Sequence, residues 1–260
     1  MTRKRATLAG LAAALVAAFV VGPNLLAGGG YADGDRLGSA VRGAFVGYWG
    51  SGRRDLSPDL QRLVDYWFRY HLAKGAIAAL LLVVLTALGV SLWRAFAQGG
   101  RRRLAAAGTG VTALAMLALA TVMANAQGAV APFASLLPML VDRPADGPLA
   151  DTLGQVRQRL GAGDRTAPAV DVMVRDFARY HEAMVVIAAV VAIALAAGGV
   201  LLWRRFSTTA PAQRRARAVL GAFGGLAAAL ALAVVAVVVA NTTVAADPAP
   251  ALLALFNGGW

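Results

Sequence analysis

The chain of 260 residues is 59% hydrophobic and only 15% charged, carries a formal net charge of +12 and has no cysteine. Soluble globular proteins hold nearer a quarter of their residues as charges, so the composition excludes the profile of an ordinary water-soluble enzyme. Without thiols there are no disulfides, thiolate metal sites or cysteine nucleophiles.

Five apolar runs, residues 6–27, 75–93, 104–124, 183–203 and 218–240, contain no formal charge. Each approaches or exceeds the roughly 20 residues needed to cross a hydrocarbon core of about 30 Å. The excess charge sits on alternate links. Arg3, Lys4 and Arg5 precede the first run; Arg94, Arg101, Arg102 and Arg103 follow the second; Arg204, Arg205, Arg214, Arg215 and Arg217 follow the fourth. These links hold no acid, and elsewhere the two signs cancel. Such a bias orients a multi-span protein with its N-terminus in the cytoplasm and its C-terminus outside. It accounts for the basic balance with the lipid bilayer, and not nucleic acid, as the partner.

Residues 1–28 read as a first span or uncleaved signal anchor. A secretory signal has a shorter apolar core, although Gly30-Tyr31-Ala32 offers a place to cut. Residues 28–57 form an outer segment. Ser57-Pro58 then starts a helix, a capping hydroxyl followed by proline at the first helical position, and the spacing predicts an unbroken helix from Pro58 to Arg94. Trp93-Arg94 marks the cytoplasmic interface, Gln98 to Arg101 a turn, and the third span returns to Asn125. Between Asp142 and Thr166, Leu149 to Leu160 reads as an amphipathic helix ended by Gly161-Ala162-Gly163.

One stretch occurs twice. Residues 58–96 and 168–206 match at a constant offset of 110, sharing Arg-Tyr-His (Arg69, Tyr70, His71; Arg179, Tyr180, His181) and Leu-Trp-Arg (Leu92, Trp93, Arg94; Leu202, Trp203, Arg204). The exits match at an offset of 116: Asn125, Pro132, Leu136 and Leu137 against Asn241, Pro248, Leu252 and Leu253. Each exit reads as a short amphipathic segment on the outer membrane face, the last anchored by Phe256 and Trp260. The expected fold is an all-α membrane protein of five transmembrane helices. Hairpins two–three and four–five form a parallel duplication related by a pseudo-twofold axis, beside one extra N-terminal span. Residues 29–140 make the first repeat and 141–260 the second. Small residues such as Gly221 and Gly225 serve close helix packing, within the chain or in a homo-oligomer.

His71 and His181, the only two histidines, occupy matched positions near the outer interface. Two readings stand side by side. Arg-Tyr-His is an interfacial anchor, with Trp67 and Phe177 stacked one turn earlier. Alternatively, His71 and His181 bind a haem whose propionates meet Arg69 and Arg179. A bare metal ion fits less well, since two imidazoles need further ligands. Lys74 either snorkels outward or faces a polar cavity. Asn24, Asn125 and Asn241 either line a vestibule or cap carbonyls where spans unwind.

No phosphate-binding glycine loop, H-E-x-x-H or G-x-S-x-G motif occurs, and no span carries a central carboxylate. Ordinary hydrolase and ion-coupled pump chemistry therefore lacks its usual residues. The first expectation is a non-enzymatic scaffold or binding protein with extracytoplasmic helical ends, with a membrane protein as possible partner. The alternatives are a membrane redox protein holding haem and a small-molecule transporter or channel.

The Arg-Tyr-His…Leu-Trp-Arg frame and its Ala-Asn…Pro…Leu-Leu exits resemble actinobacterial multi-span integral membrane proteins, some of them labelled as twin-arginine signal proteins. The resemblance covers nearly the whole chain and implies a bacterial plasma membrane, but no activity and no site residues. Arg3-Lys4-Arg5 departs from the twin-arginine pattern.

Overall fold

A computed structural model describes residues 3–28, 30–31, 34–164 and 166–259, which are mostly helical, with no strand among them. In chain order the helices are α1 (Arg3–Ala27), α2 (Gly34–Ser51), α3 (Pro58–Ala97), α4 (Arg102–Val130), α5 (Pro132–Leu136), a 3-10 turn (Leu137–Leu140), α6 (Gly147–Gly161), α7 (Pro168–Thr208), α8 (Arg214–Ala246) and α9 (Pro248–Phe256). Of these, α1, α3, α4, α7 and α8 are long and apolar enough to cross a membrane. The chain is thus an all-α, multi-pass membrane protein with five spanning helices. Ala32 of the expected cleavage stretch and Trp260, the expected terminal anchor, lie outside the described residues.

Local chemistry explains the helix limits. Ser57 Oγ accepts the Leu60 N–H at 3.4 Å at the start of α3. The matching α7 starts differently: Thr166 donates both its N–H and its hydroxyl to Asp164, so it closes a turn instead of capping the helix. These two donors hold the Asp164 carboxyl below the usual carboxylate range. After α3 the chain turns through Gly99 at φ +100°, and Gly100 donates its N–H to Ala95 O at 3.0 Å, as left-handed glycine closures do. Pro132 and Pro248 break α4 and α8 and open α5 and α9. The segments matched in sequence therefore adopt matching elements.

The chain divides into two compact units that cut across both repeats: residues 1–21, 74–124 and 186–239 form a span unit, and residues 22–73, 125–185 and 240–260 an end unit. In the span unit large apolar side chains point outward; Val190, Ile193 and Leu232 are 62%, 70% and 72% exposed. Its interior contact is made by Ala12, Val84, Leu85 and Ala118. There α1 runs antiparallel to α3: Arg5 donates to Ser91 Oγ and O at 3.0 and 3.1 Å, and the Lys74 ammonium lies 5.1 Å over the Phe19 ring. Lys74 is accordingly engaged with an aromatic face.

The end unit has a core like that of a soluble domain. Phe45, Tyr48, Leu60, Leu136, Leu140, Val156, Met173 and Phe256 are buried together. Sequence reasoning assigns no element to residues 28–57, yet α2 lies there. Its Leu37, Val41, Phe45 and Tyr48 recur at helical spacing and face the core. The exits also differ from expectation. Leu252, Leu255 and Phe256 of α9, like Leu136 of α5, are buried in this protein core instead of facing lipid headgroups. The α6 helix and its end at Gly161, followed by Gly163 at φ +66°, agree with the sequence.

Candidate functional site

The four sequence-predicted residues all belong to the end unit, on α3 and α7. His71 Nδ1–H donates to the Trp67 carbonyl at 2.9 Å, and its ring stands edge-on to Trp67 with centroids 4.6 Å apart. A methyl group built on Gly128 of α4 would collide with His71 Cδ2 and Nε2. The imidazole edge therefore rests on helix backbone that only glycine leaves open.

His181 is held differently. Its Nδ1–H donates to Asn241 Oδ1 at 2.8 Å, and Phe177 and Tyr180 flank the ring at 4.7 and 5.5 Å. An amide oxygen only accepts, so Nδ1 carries the hydrogen and Nε2 presents a lone pair. That Nε2 is buried and has no hydrogen-bond partner among the described residues. Each imidazole is thus engaged by the returning helix of its own hairpin: α4 for His71, α8 for His181.

The arginines do not form a matched pair. Arg69 Nε donates at 3.3 Å to the carbonyl of Ala27, the last residue of α1, where a cation complements the helix terminus. Arg179 is exposed. Among the described residues no three His, Cys, Asp or Glu side chains gather as a metal-binding group.

The asparagines lie inside continuing helices, not where spans unwind. Two of their side chains reach other helices: Asn24 Oδ1 accepts from Tyr66 OH at 2.9 Å, and Asn241 Oδ1 from His181. Gln127, also buried, donates to Tyr180 O at 3.1 Å. Asp176 of α7 accepts the Ala134 N–H at 2.7 Å, so a carboxylate from another helix serves the first turn of α5. These bonds tie α4 and α5 to α7.

Sequence reasoning named His181 and Asn241 without pairing them, and missed Gly128. A signal was present. Folding a hairpin back on itself at Gln98–Arg101 brings His71 opposite Gly128, and folding at Ala210–Gln213 brings His181 close to Asn241. No family model, curated protein or solved structure matches the chain.

Proposed function

We propose that the chain is a non-enzymatic scaffold or binding protein of a bacterial plasma membrane. In this reading the arginine-rich links are cytoplasmic, and α1 is retained as a span. The end unit is an extracytoplasmic platform with which a membrane-protein partner docks. The observation that carries the proposal is the construction of the end unit. Helices α2, α5, α6 and α9, too short or too polar to span, share a buried aromatic core with the first turns of α3 and α7, and directed polar contacts tie α2, α6, α9 and the 3-10 segment together. Arg42 donates to Met139 O and pairs with Asp142 at 2.7 Å; Trp49 Nε1 donates to Gln155 at 2.8 Å; Arg157 donates to Phe256 O at 2.7 Å. A body braced in this way presents a fixed surface, as recognition requires. Photo-crosslinkers at exposed Ser39 and Asp151 should capture one recurrent membrane protein in intact cells, whereas one at exposed Leu232 should not. Equal, partner-independent capture from all three positions would oppose the proposal.

A second reading is favoured by the buried, unpartnered Nε2 of His181: a haem bound through this atom alone, since the His71 Nε2 edge packs on the α4 backbone at Gly128 and Arg69 turns to Ala27 O, unlike the matched ligand and arginine pair expected from the sequence. Fixing Nδ1–H against a neighbouring oxygen is how ligating histidines are oriented. The absorption spectrum of the purified protein tests it. A Soret band lost in His181→Ala would support haem, and a colourless preparation from haem-replete cells would remove it.

A further inference from the structure

Four helices of the span unit, α3, α4, α7 and α8, frame an apolar cleft of about 530 Å³ near Trp93 and Phe223. Its wall is firm. Trp93 Nε1 donates to Thr112 Oγ1 at 3.2 Å, the Trp93 and Phe223 rings meet edge to face at 5.3 Å, and a methyl group built on Gly108 would come within 2.8 Å of the indole. The cleft shares Arg94, Ala97 and Ala216 with a second, more polar cavity of about 680 Å³ that adds Gln98, Gln213, Arg214 and Arg215. Arg205 also lines the apolar part. The two cavities therefore adjoin across a shared wall, and the apolar cleft has further cations beside it. Each volume falls within the roughly 300–1,000 Å³ of ordinary ligand pockets.

The arginines here fall into two kinds. Arg217 donates to Phe206 O and Thr209 O at 3.0 and 2.7 Å and stacks over Phe206; Arg215 reaches Gly100 O at 3.4 Å and lies over Phe96. These two hold the α3 and α7 ends in place. Arg94, Arg205 and Arg214 have no side-chain hydrogen bond or ion pair among the described residues. No partner of opposite sign is available within the unit, because all 13 acidic residues lie outside residues 1–21, 74–124 and 186–239. Three uncompensated guanidiniums at the mouth of an apolar cleft, on a membrane protein, are complementary to one class of molecule: an anion with a hydrocarbon tail.

We propose that this cleft holds one anionic diacylphospholipid. An acyl chain lies along Gly89, Val90, Leu220 and Phe223, and the phosphate is bound by Arg94, Arg205 and Arg214. Guanidinium forks match phosphate oxygens bidentately, and basic pockets between spanning helices suit anionic headgroups. The site goes beyond the positive-inside bias, which concerns only how many cations a link carries. It is independent of whether the end unit binds a partner.

Native mass spectrometry of the full chain released from vesicles of equal phosphatidylglycerol and phosphatidylcholine tests the site. One phosphatidylglycerol should remain bound per chain. Replacing Arg94, Arg205 and Arg214 together by alanine should lower its retention about 100-fold, at about fivefold per cation. Replacing Arg101, Arg102 and Arg103 removes the same charge and should leave retention unchanged. Val90→Trp, with every arginine intact, should also displace the lipid by filling the cleft. Equal losses in the two triple variants would reduce the effect to general surface charge and overturn the site. So would phosphatidylcholine retained as well as phosphatidylglycerol, or inorganic phosphate at millimolar concentration competing the lipid away from an intact cleft.

Discussion

Ile193 in α7 is 70% exposed, while Phe45 in α2 is completely buried. The two residues stand for two units of one chain with opposite solvent preferences. The span unit turns Val190, Ile193 and Leu232 outward and keeps mostly alanine and glycine between its helices. The end unit buries Phe45, Tyr48, Phe133 and Phe256 and holds all the acidic residues of the chain, with pairs such as Arg54–Asp171 at 2.9 Å. Apolar area drives folding where the alternative is water. In lipid it does not, and packing of small residues and hydrogen bonds between helices replaces it. A single rule about which side chains belong inside would misdescribe half of the molecule.

The largest expected effect breaks the end unit from within. Phe45→Ala should destabilise it by about 3–5 kcal/mol, the usual cost of a truncated buried aromatic, read as early loss of protease resistance in the end unit. Val190→Ala, a smaller truncation at an exposed position of α7, should change little. Next comes a substitution that a water-exposed site would tolerate. Leu232→Arg places a charge on an outward face of α8 and should cost about 2.5–3.5 kcal/mol of insertion free energy, visible as reduced membrane-inserted protein. Free tolerance of arginine there would break the comparison.

Much of this architecture is legible in the residues. A charge-free run of about 20 residues is a length criterion that needs no tertiary knowledge, so all five spans could be read directly. Helix α2 was hidden by its glycines, Gly34, Gly38, Gly43, Gly47 and Gly50, which weaken helical propensity. The stripe of Leu37, Val41, Phe45 and Tyr48 is visible once glycine is set aside. For the exits, apolar segments ending at Leu253 or Phe256 suit lipid and protein cores equally, and only tertiary packing decides between them. The histidines stood out by repetition, but their partners depend on hairpin register. The cleft was not legible at all. In the sequence Arg94 and Arg217 are alike; whether a guanidinium turns to a backbone carbonyl or to open space is a matter of three-dimensional placement.

Smaller effects sharpen the same contrast. Asp176→Ala removes the acceptor of the buried Ala134 N–H and should cost about 1–3 kcal/mol, read as local hydrogen exchange at α5 that rises more than in the spans. Tyr48 donates its hydroxyl to Arg54 O at 3.2 Å, and burial pushes its pKa from 10.0 up to about 12. The folded state thus favours the protonated phenol. Its contribution is complete below about pH 10, where the unfolded phenol is also protonated, and is lost as pH rises through about 12. End-unit stability should fall in that window, and Tyr48→Phe, at a cost of about 1 kcal/mol, should weaken the fall.

The chain has no native cysteine, so single cysteines at exposed Asp151 in the end unit and exposed Ser207 near the arginine-rich link report topology directly. A membrane-impermeant maleimide applied to intact cells should label Asp151→Cys, and should label Ser207→Cys only after the membrane is opened. Labelling of Ser207→Cys in intact cells, or recovery of the whole chain in the soluble fraction, would contradict lipid as the solvent of the span unit and the orientation proposed for it.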